Sequence, residues 1–160
     1  MKKMYAFLLI ITLLTLCGCT RNRKSLVANS TWRMKDGSEV IFTEDDITWY
    51  KEPGEHSKNY YAGKYKFYIG KDAVNYIVND LSEYGVTKDE LQNLFDRNEE
   101  YSVDNFVVFD IRYNEFDLDG EKQKIERPLV PWFGFILDNN TYLDVANMNT
   151  STYYKMTKQN

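Results

Sequence analysis

The sequence predicts a mainly β domain of α+β type: an antiparallel barrel or sandwich of about eight or nine strands with a two-helix insert. Three observations carry this. Thirteen Tyr and nine Phe stand against eight Gly and three Pro, a composition that suits strands rather than disorder. Turn signals recur at short intervals, among them Asp36-Gly37, Pro53-Gly54, Asp119-Gly120 and Asn139-Asn140. Over residues 73–98 the apolar spacing shifts from alternate positions to the i, i+3, i+4 pattern of a helix.

The first element is an address. Lys2 and Lys3 precede an uncharged run from Met4 to Leu16, then Cys17, Gly18 and Cys19. A short basic region, an apolar stretch too short to span a bilayer and a small residue before a cysteine form the layout of an exported precursor. Leu16-Cys17-Gly18-Cys19 resembles the lipobox of bacterial lipoproteins. That resemblance implies a signal peptide over 1–18, cleavage before Cys19 and attachment of fatty acyl chains such as palmitate to Cys19. It also implies a protein held at the extracytoplasmic face of the cell membrane. Bulky Leu16 before Cys17 disfavours cleavage there, whereas Gly18 is small. Cys17 then departs with the signal, and the mature chain keeps no cysteine for a disulfide, a thiol nucleophile or a metal. Residues 19–28, with Arg21, Arg23 and Lys24, read as a lipidated tether able to lie against anionic headgroups.

The folded domain is expected over 29–160. Thr31 to Met34 and Ser38 to Phe42 form a hairpin across Lys35-Asp36-Gly37, and Ile47 to Lys51 is the third strand. Glu52 to Asn59 holds no apolar residue and is a loop. Tyr60 to Ile69 returns to strand alternation, with Tyr61, Tyr65, Phe67 and Ile69 on one face and Lys64 and Lys66 on the other. Val74, Ile77, Val78 and Leu81 share a helical face, with Asp72 placed to cap it and Gly85 to end it. A strand with Val74, Tyr76 and Val78 on one face is the competing arrangement. Thr87 and Glu90 make a capping box ahead of Leu91, Leu94 and Phe95, all three expected to be buried.

Ser102 to Tyr113 resumes strand alternation, but Phe106 and Val108 interrupt it, which predicts a strand covered on both faces. Gln123 to Arg127, Trp132 to Leu137, Thr141 to Ala146 and Thr152 to Thr157 complete the set.

The opening Leu26 to Trp32, with Asp36-Gly37 and Val40-Ile41-Phe42, resembles the first hairpin of small lipocalin-like bacterial lipoproteins. Those often begin with glycine, any residue, tryptophan; here Ser30 replaces the glycine. The resemblance implies a lipocalin-like barrel in which Trp32 plugs the closed end and a basic residue of the last strand, Lys155, covers it.

The formal charge is −4, and about −6 once Lys2 and Lys3 are removed, which argues against nucleic acid as a partner. Asp117, Asp119, Gly120 and Glu126 match part of a calcium-loop register. Glu115 at the first position, Lys122 at the eighth and flanking strands favour a plain Asp-Gly hairpin, so no metal and no cofactor is expected. His56 lies alone in the polar loop and is expected to be solvated. Paired carboxylates for hydrolysis are available in any acidic domain and single out none.

Aromatic residues are the richer signal. Trp132, Phe133, Trp49 and Tyr50 lie where both strand faces are apolar, and are the candidate anchors for a ligand or partner, unless insert helices cover the second face. The expected function is binding and not catalysis: a membrane-anchored module for a protein, peptide or envelope component. A carrier of a small apolar ligand in the barrel interior is the alternative, and a carboxylate-pair envelope hydrolase the third.

Overall fold

The computed structural model describes residues 23–125 and 129–159. Nine strands are present: β1 (Ser30–Met34), β2 (Glu39–Phe42), β3 (Asp46–Tyr50), β4 (Tyr60–Ile69), β5 (Phe106–Leu118), β6 (Glu121–Lys124), β7 (Leu129–Leu137), β8 (Tyr142–Asn147) and β9 (Tyr153–Lys158). They run antiparallel in the order β4-β3-β2-β1-β9-β8-β7-β5-β6. β4 also pairs with β5, so eight strands close into a barrel and β6 stands outside the ring. Closure leaves those eight strands no open edge. Of the two architectures expected, the barrel is the one formed, and it matches a lipocalin-like barrel.

β5 controls the shape of one end. Its first half, Phe106 to Arg112, is flanked by β4 and β7. Its second half, Glu115 to Leu118, leaves β7 and pairs with β6 across the Asp119-Gly120 turn. The β5–β6 hairpin therefore rises past the wall as a lip. β4 follows β5 through a bulge at Ala62/Gly63. Gly63 permits the close approach: a Cβ there would strike the Arg112 carbonyl and lie 2.6 Å from Tyr113 Cα.

Inward residues of the eight ring strands fill the interior, including Trp32, Phe42, Tyr65, Phe109, Ile111, Trp132, Leu143 and Met156. One end is sealed by the chain's own start. Arg23–Leu26 forms a single 3-10 turn, Val27 is fully buried, and Leu26 packs on the interior cluster. Folded structure thus reaches back into the stretch expected to be tether, because Val27 fits the barrel end. Trp32 lies beneath this plug, its Nε1 donating to Ser30 Oγ at 2.7 Å. Ser30, standing where glycine was expected, supplies that acceptor and itself donates to the Val27 carbonyl. The basic residue over Trp32 is Lys158 rather than Lys155: its ammonium is 5.6 Å from the ring and donates to the Leu26 carbonyl at 3.1 Å. Strand parity explains the correction. Met156 and Tyr154 point inward, so Lys158 does too, while Lys155 faces out toward Asp144 at 3.7 Å.

The β4–β5 connection is the helical insert. Helix α1 (Lys71–Asn75) starts at Gly70 with no side-chain cap, so Asp72 lies in its first turn instead of capping it. It continues as a π-type turn over Tyr76–Asp80, and Gly85 ends the following 3-10 turn in the left-handed conformation. Helix α2 (Lys88–Phe95) opens on the expected Thr87–Glu90 capping box. The strand arrangement of Val74, Tyr76 and Val78 is not formed. Ala73, Ile77, Leu81 and Leu91 make a second core with Phe106, Val108 and Phe135 from the outer face of β5 and β7. Leu91 is buried as expected, whereas Leu94 and Phe95 are only partly so, since they sit at the margin of this layer.

Candidate functional site: the barrel mouth

Neighbouring residues of a strand point to opposite faces, so each expected anchor pair is split across the barrel wall. Trp132 is fully buried in the interior cluster, while Phe133 is half-buried on the outside, in the layer under the insert. Trp49 packs on the interior cluster, and Tyr50 faces out, its ring 4.5 Å from His56 and 5.7 Å from Tyr60. The outer surplus of aromatic residues is accounted for by the insert: Tyr101 stacks on Phe135 at 3.9 Å, and Phe95 packs edge-on against Phe106 at 5.5 Å. Among the described residues the exposed large apolar side chains are Leu118 and Tyr153.

The inner aromatic residues converge at the end opposite the plug. Trp49 meets Trp132 edge-to-face at 5.8 Å and Tyr154 at 5.2 Å, and Trp132 lies 5.0 Å from Tyr154. Tyr61 extends the group to Tyr113 at 5.6 Å and stacks on Phe116 of the lip at 6.0 Å. Inside this layer Trp49 Nε1, Trp132 Nε1 and Tyr113 Oη are buried and have no hydrogen-bond partner among the described residues. Edge-to-face packing offers an N–H at most a ring face, weaker than an oxygen acceptor. An unpaired buried donor ordinarily costs about 1–3 kcal/mol, so three in one layer form a site short of acceptors. Burial, helped by neighbouring Tyr154 and Tyr61, pushes the Tyr113 phenol up, which keeps it a neutral donor.

Lys51 completes the layer. It follows Trp49 by two residues, on the same side of β3, and its ammonium lies 3.0 Å from the Trp49 ring centroid and 5.2 Å from that of Tyr61. The side chain of Lys51 stays exposed overall, but packing on the rings takes part of the water from its ammonium and pushes Lys51 down to about 8, against the pull of Asp36. The Trp49 face favours the cation and works against that loss. Among the described ion pairs none involves Lys51.

Above the layer, a cleft of about 410 Å³ lies between the β3–β4 loop and the lip, lined by Lys51, Tyr61, Phe116, Leu118, Asn59 and three carboxylate residues, Glu52, Asp117 and Asp119. Asn59 ties its walls together. Its backbone N–H donates to Asp117 at 2.9 Å, its side-chain amide donates to Glu52 at 2.5 Å, and its carbonyl oxygen accepts from the Asp119 N–H at 2.7 Å. The Asp119-Gly120 segment is a strand-flanked hairpin turn, with Gly120 N–H donating to Asp117. Among the described residues no group of three or more His, Cys, Asp or Glu is placed to hold a metal ion. Glu126 lies outside the described residues, as does Cys19.

Comparison with family models, curated proteins and solved structures finds no match.

Of the four expected anchors, Trp49 and Trp132 come together at the mouth, whereas Tyr50 and Phe133 belong to two separate outer patches. Lys51, Tyr61, Tyr113 and Tyr154 were missed as site residues. Parity with Trp49 was the available signal for Lys51, while nothing local ranks Tyr113 or Tyr154 above other strand tyrosines. His56 is exposed, as expected, and its Nε2 also lies 2.7 Å from Glu39 Oε2, a buried carboxylate that accepts from Arg33 Nε at 2.9 Å. That contact fastens the β3–β4 loop to the first hairpin.

Proposed function

We propose that this protein is a lipid-anchored, extracytoplasmic binding protein that takes a small ligand at the open mouth of its barrel. The carrying observation is the acceptor-poor aromatic layer formed by Trp49, Trp132 and Tyr113 beneath Lys51. The opposite half of the interior is filled by Trp32, Phe42, Tyr65 and Phe109 and sealed by the Arg23–Leu26 turn. A ligand therefore enters from the lip side. The Lys51 ammonium lines the cleft and can meet an acceptor there, with the buried indole and phenol donors in the layer beneath, whereas Glu52 and Asp117 accept from Asn59, which supports binding over hydrolysis. With the outer aromatic face occupied by the insert, the mouth is favoured over the outer wall as the contact surface.

An acylated Cys19 precedes Arg23 by four residues, a reach of at most about 14 Å. The plugged end is then held toward the bilayer and the mouth opens away from it. Among the described residues no helix is long and apolar enough to cross a membrane. The anchor in this proposal is the lipid on Cys19, argued from the Leu16-Cys17-Gly18-Cys19 segment. Two experiments test the reading. Palmitate labelling should vanish in Cys19→Ala and persist in Cys17→Ala. A fragment screen followed by the three indole N–H resonances should move Trp49 and Trp132 and leave Trp32 in place; hits confined to the Tyr50 or Tyr153 surface would defeat the mouth assignment.

A further inference from the structure

We propose that the mouth selects small organic anions, a carboxylate on a flat apolar body, with Lys51 as the charge partner. This rests on the mouth being the binding site. The donors left without a partner in the aromatic layer are the indole N–H groups of Trp49 and Trp132 and the neutral Tyr113 phenol, and the ammonium of Lys51 lies over the Trp49 ring. Ammonium and indole N–H can only donate, so the complementary group is one rich in acceptors. Charge narrows the choice. Lys51 is packed on two rings and makes no direct ion pair among the described residues, Asp36 acting on it only through space, and its depressed proton affinity is what a bound anion would reverse.

The competing carboxylates of the cleft all meet Asn59, Asp119 Oδ1 accepting from its Nδ2 at 3.5 Å. Glu52 accepts from Asn59, and Asp117 Oδ1 accepts from the Asn59 and Gly120 N–H groups. Asp117 Oδ2 is also buried without a partner, but Asp117 stands opposite Lys122 in the β5–β6 pairing rather than beside Lys51. The ligand's body is set by Tyr61 and Phe116, whose stacked rings line the cleft of about 410 Å³, within the range of small-molecule sites. A planar ring system can lie on them while its carboxylate reaches Lys51.

The described barrel closes on itself, so soluble Thr20–Asn160 serves for the test. It is titrated with naphthalene-2-carboxylate and with its neutral isostere naphthalene-2-carboxamide, by calorimetry and by the indole N–H resonances. The carboxylate should bind at least about tenfold more tightly. Lys51→Met should weaken the carboxylate far more than the carboxamide and so erase that preference, and Lys51→Arg should keep it. Equal affinity for the two probes, or a preference that survives Lys51→Met, overturns the anion inference and leaves the mouth reading standing. No movement of the Trp49 and Trp132 resonances with either probe overturns the mouth reading and this inference with it.

Discussion

Leu91→Ala asks whether the insert is a docked layer or a loose flap. Leu91 is 2% exposed and shares its cluster with Phe106, Val108 and Phe135 of the outer barrel wall. Truncating a leucine so enclosed should cost about 2–5 kcal/mol, the lost transfer energy plus the cavity left behind. Leu94 sits one turn on at the edge of the same cluster and is only partly buried, so Leu94→Ala should cost less, about 1–2 kcal/mol. For a domain of this size each kcal/mol moves the melting temperature by roughly 3 °C, so the Leu91 variant should melt about 6–15 °C lower. Urea unfolding with an unchanged slope is the cleaner assay, because it separates lost stability from a changed unfolded state. Losses under about 0.5 kcal/mol at Leu91, or equal losses at both positions, would mean that the insert is not packed on β5 and β7 as described.

Gly134→Ala should destabilise by about 1–3 kcal/mol or more, because a Cβ there would strike the Asp144 carbonyl and lie 2.7 Å from Val145 Cα on the paired strand; an unchanged melting temperature would refute that register. Hydrogen bonds from Arg33 hold the Glu39 carboxyl below its usual range, with His56 adding to this and burial opposing it. A depressed folded-state value means that the unfolded chain protonates first. The Glu39 contribution is therefore present above the ordinary glutamate range and lost as pH falls through the folded value. Between about pH 5 and pH 3, Glu39→Gln should lose less stability than the parent chain, and identical slopes would show that the Arg33–Glu39–His56 cluster contributes nothing.

Patterns that depend on near neighbours were legible in the sequence. The Asp36-Gly37 and Asp119-Gly120 turns, the Thr87–Glu90 box and the change of period at the insert are short-range signals. Phe106 and Val108 correctly announced a strand covered on both faces, because two consecutive buried faces leave no polar alternation. What failed depends on the far side of the ring. Lys155 and Lys158 are both basic residues of the last strand, and only the pairing of β9 with β1 decides which one reaches Trp32. Helix α1 begins at Gly70, ahead of the Asp72 cap, because the Gly70 N–H is already taken by the Phe106 carbonyl of β5. The mouth was half legible: Trp49 and Trp132 carried a signal as large aromatic residues, while Tyr113 and Tyr154 reach the site through long-range closure.

The distribution of aromatic residues is what favours the mouth in this proposal. A closed eight-stranded barrel needs bulky side chains inside, and Trp32, Phe42, Tyr65 and Phe109 meet that need in the plugged half. Phe106, Phe133 and Phe135 on the outer wall are matched by Phe95 and Tyr101 of the insert, which turns a face that would otherwise invite association into a second core. A third group is the layer of Trp49, Trp132, Tyr61, Tyr113, Tyr154 and Phe116. It differs in kind from the other two. In the plugged half Trp32 has Ser30 as acceptor and Tyr65 donates to the Thr43 carbonyl, so the polar ends of those rings are satisfied. At the mouth the indole and phenol donors are not, and the cation nearest them makes no direct ion pair among the described residues. Packing alone gives no reason to bury an unpartnered donor, and at position 113 phenylalanine would fill similar space without one. The chain instead bears the cost of donors where the barrel opens, which is the arrangement expected of a wall that acquires its acceptors from a ligand.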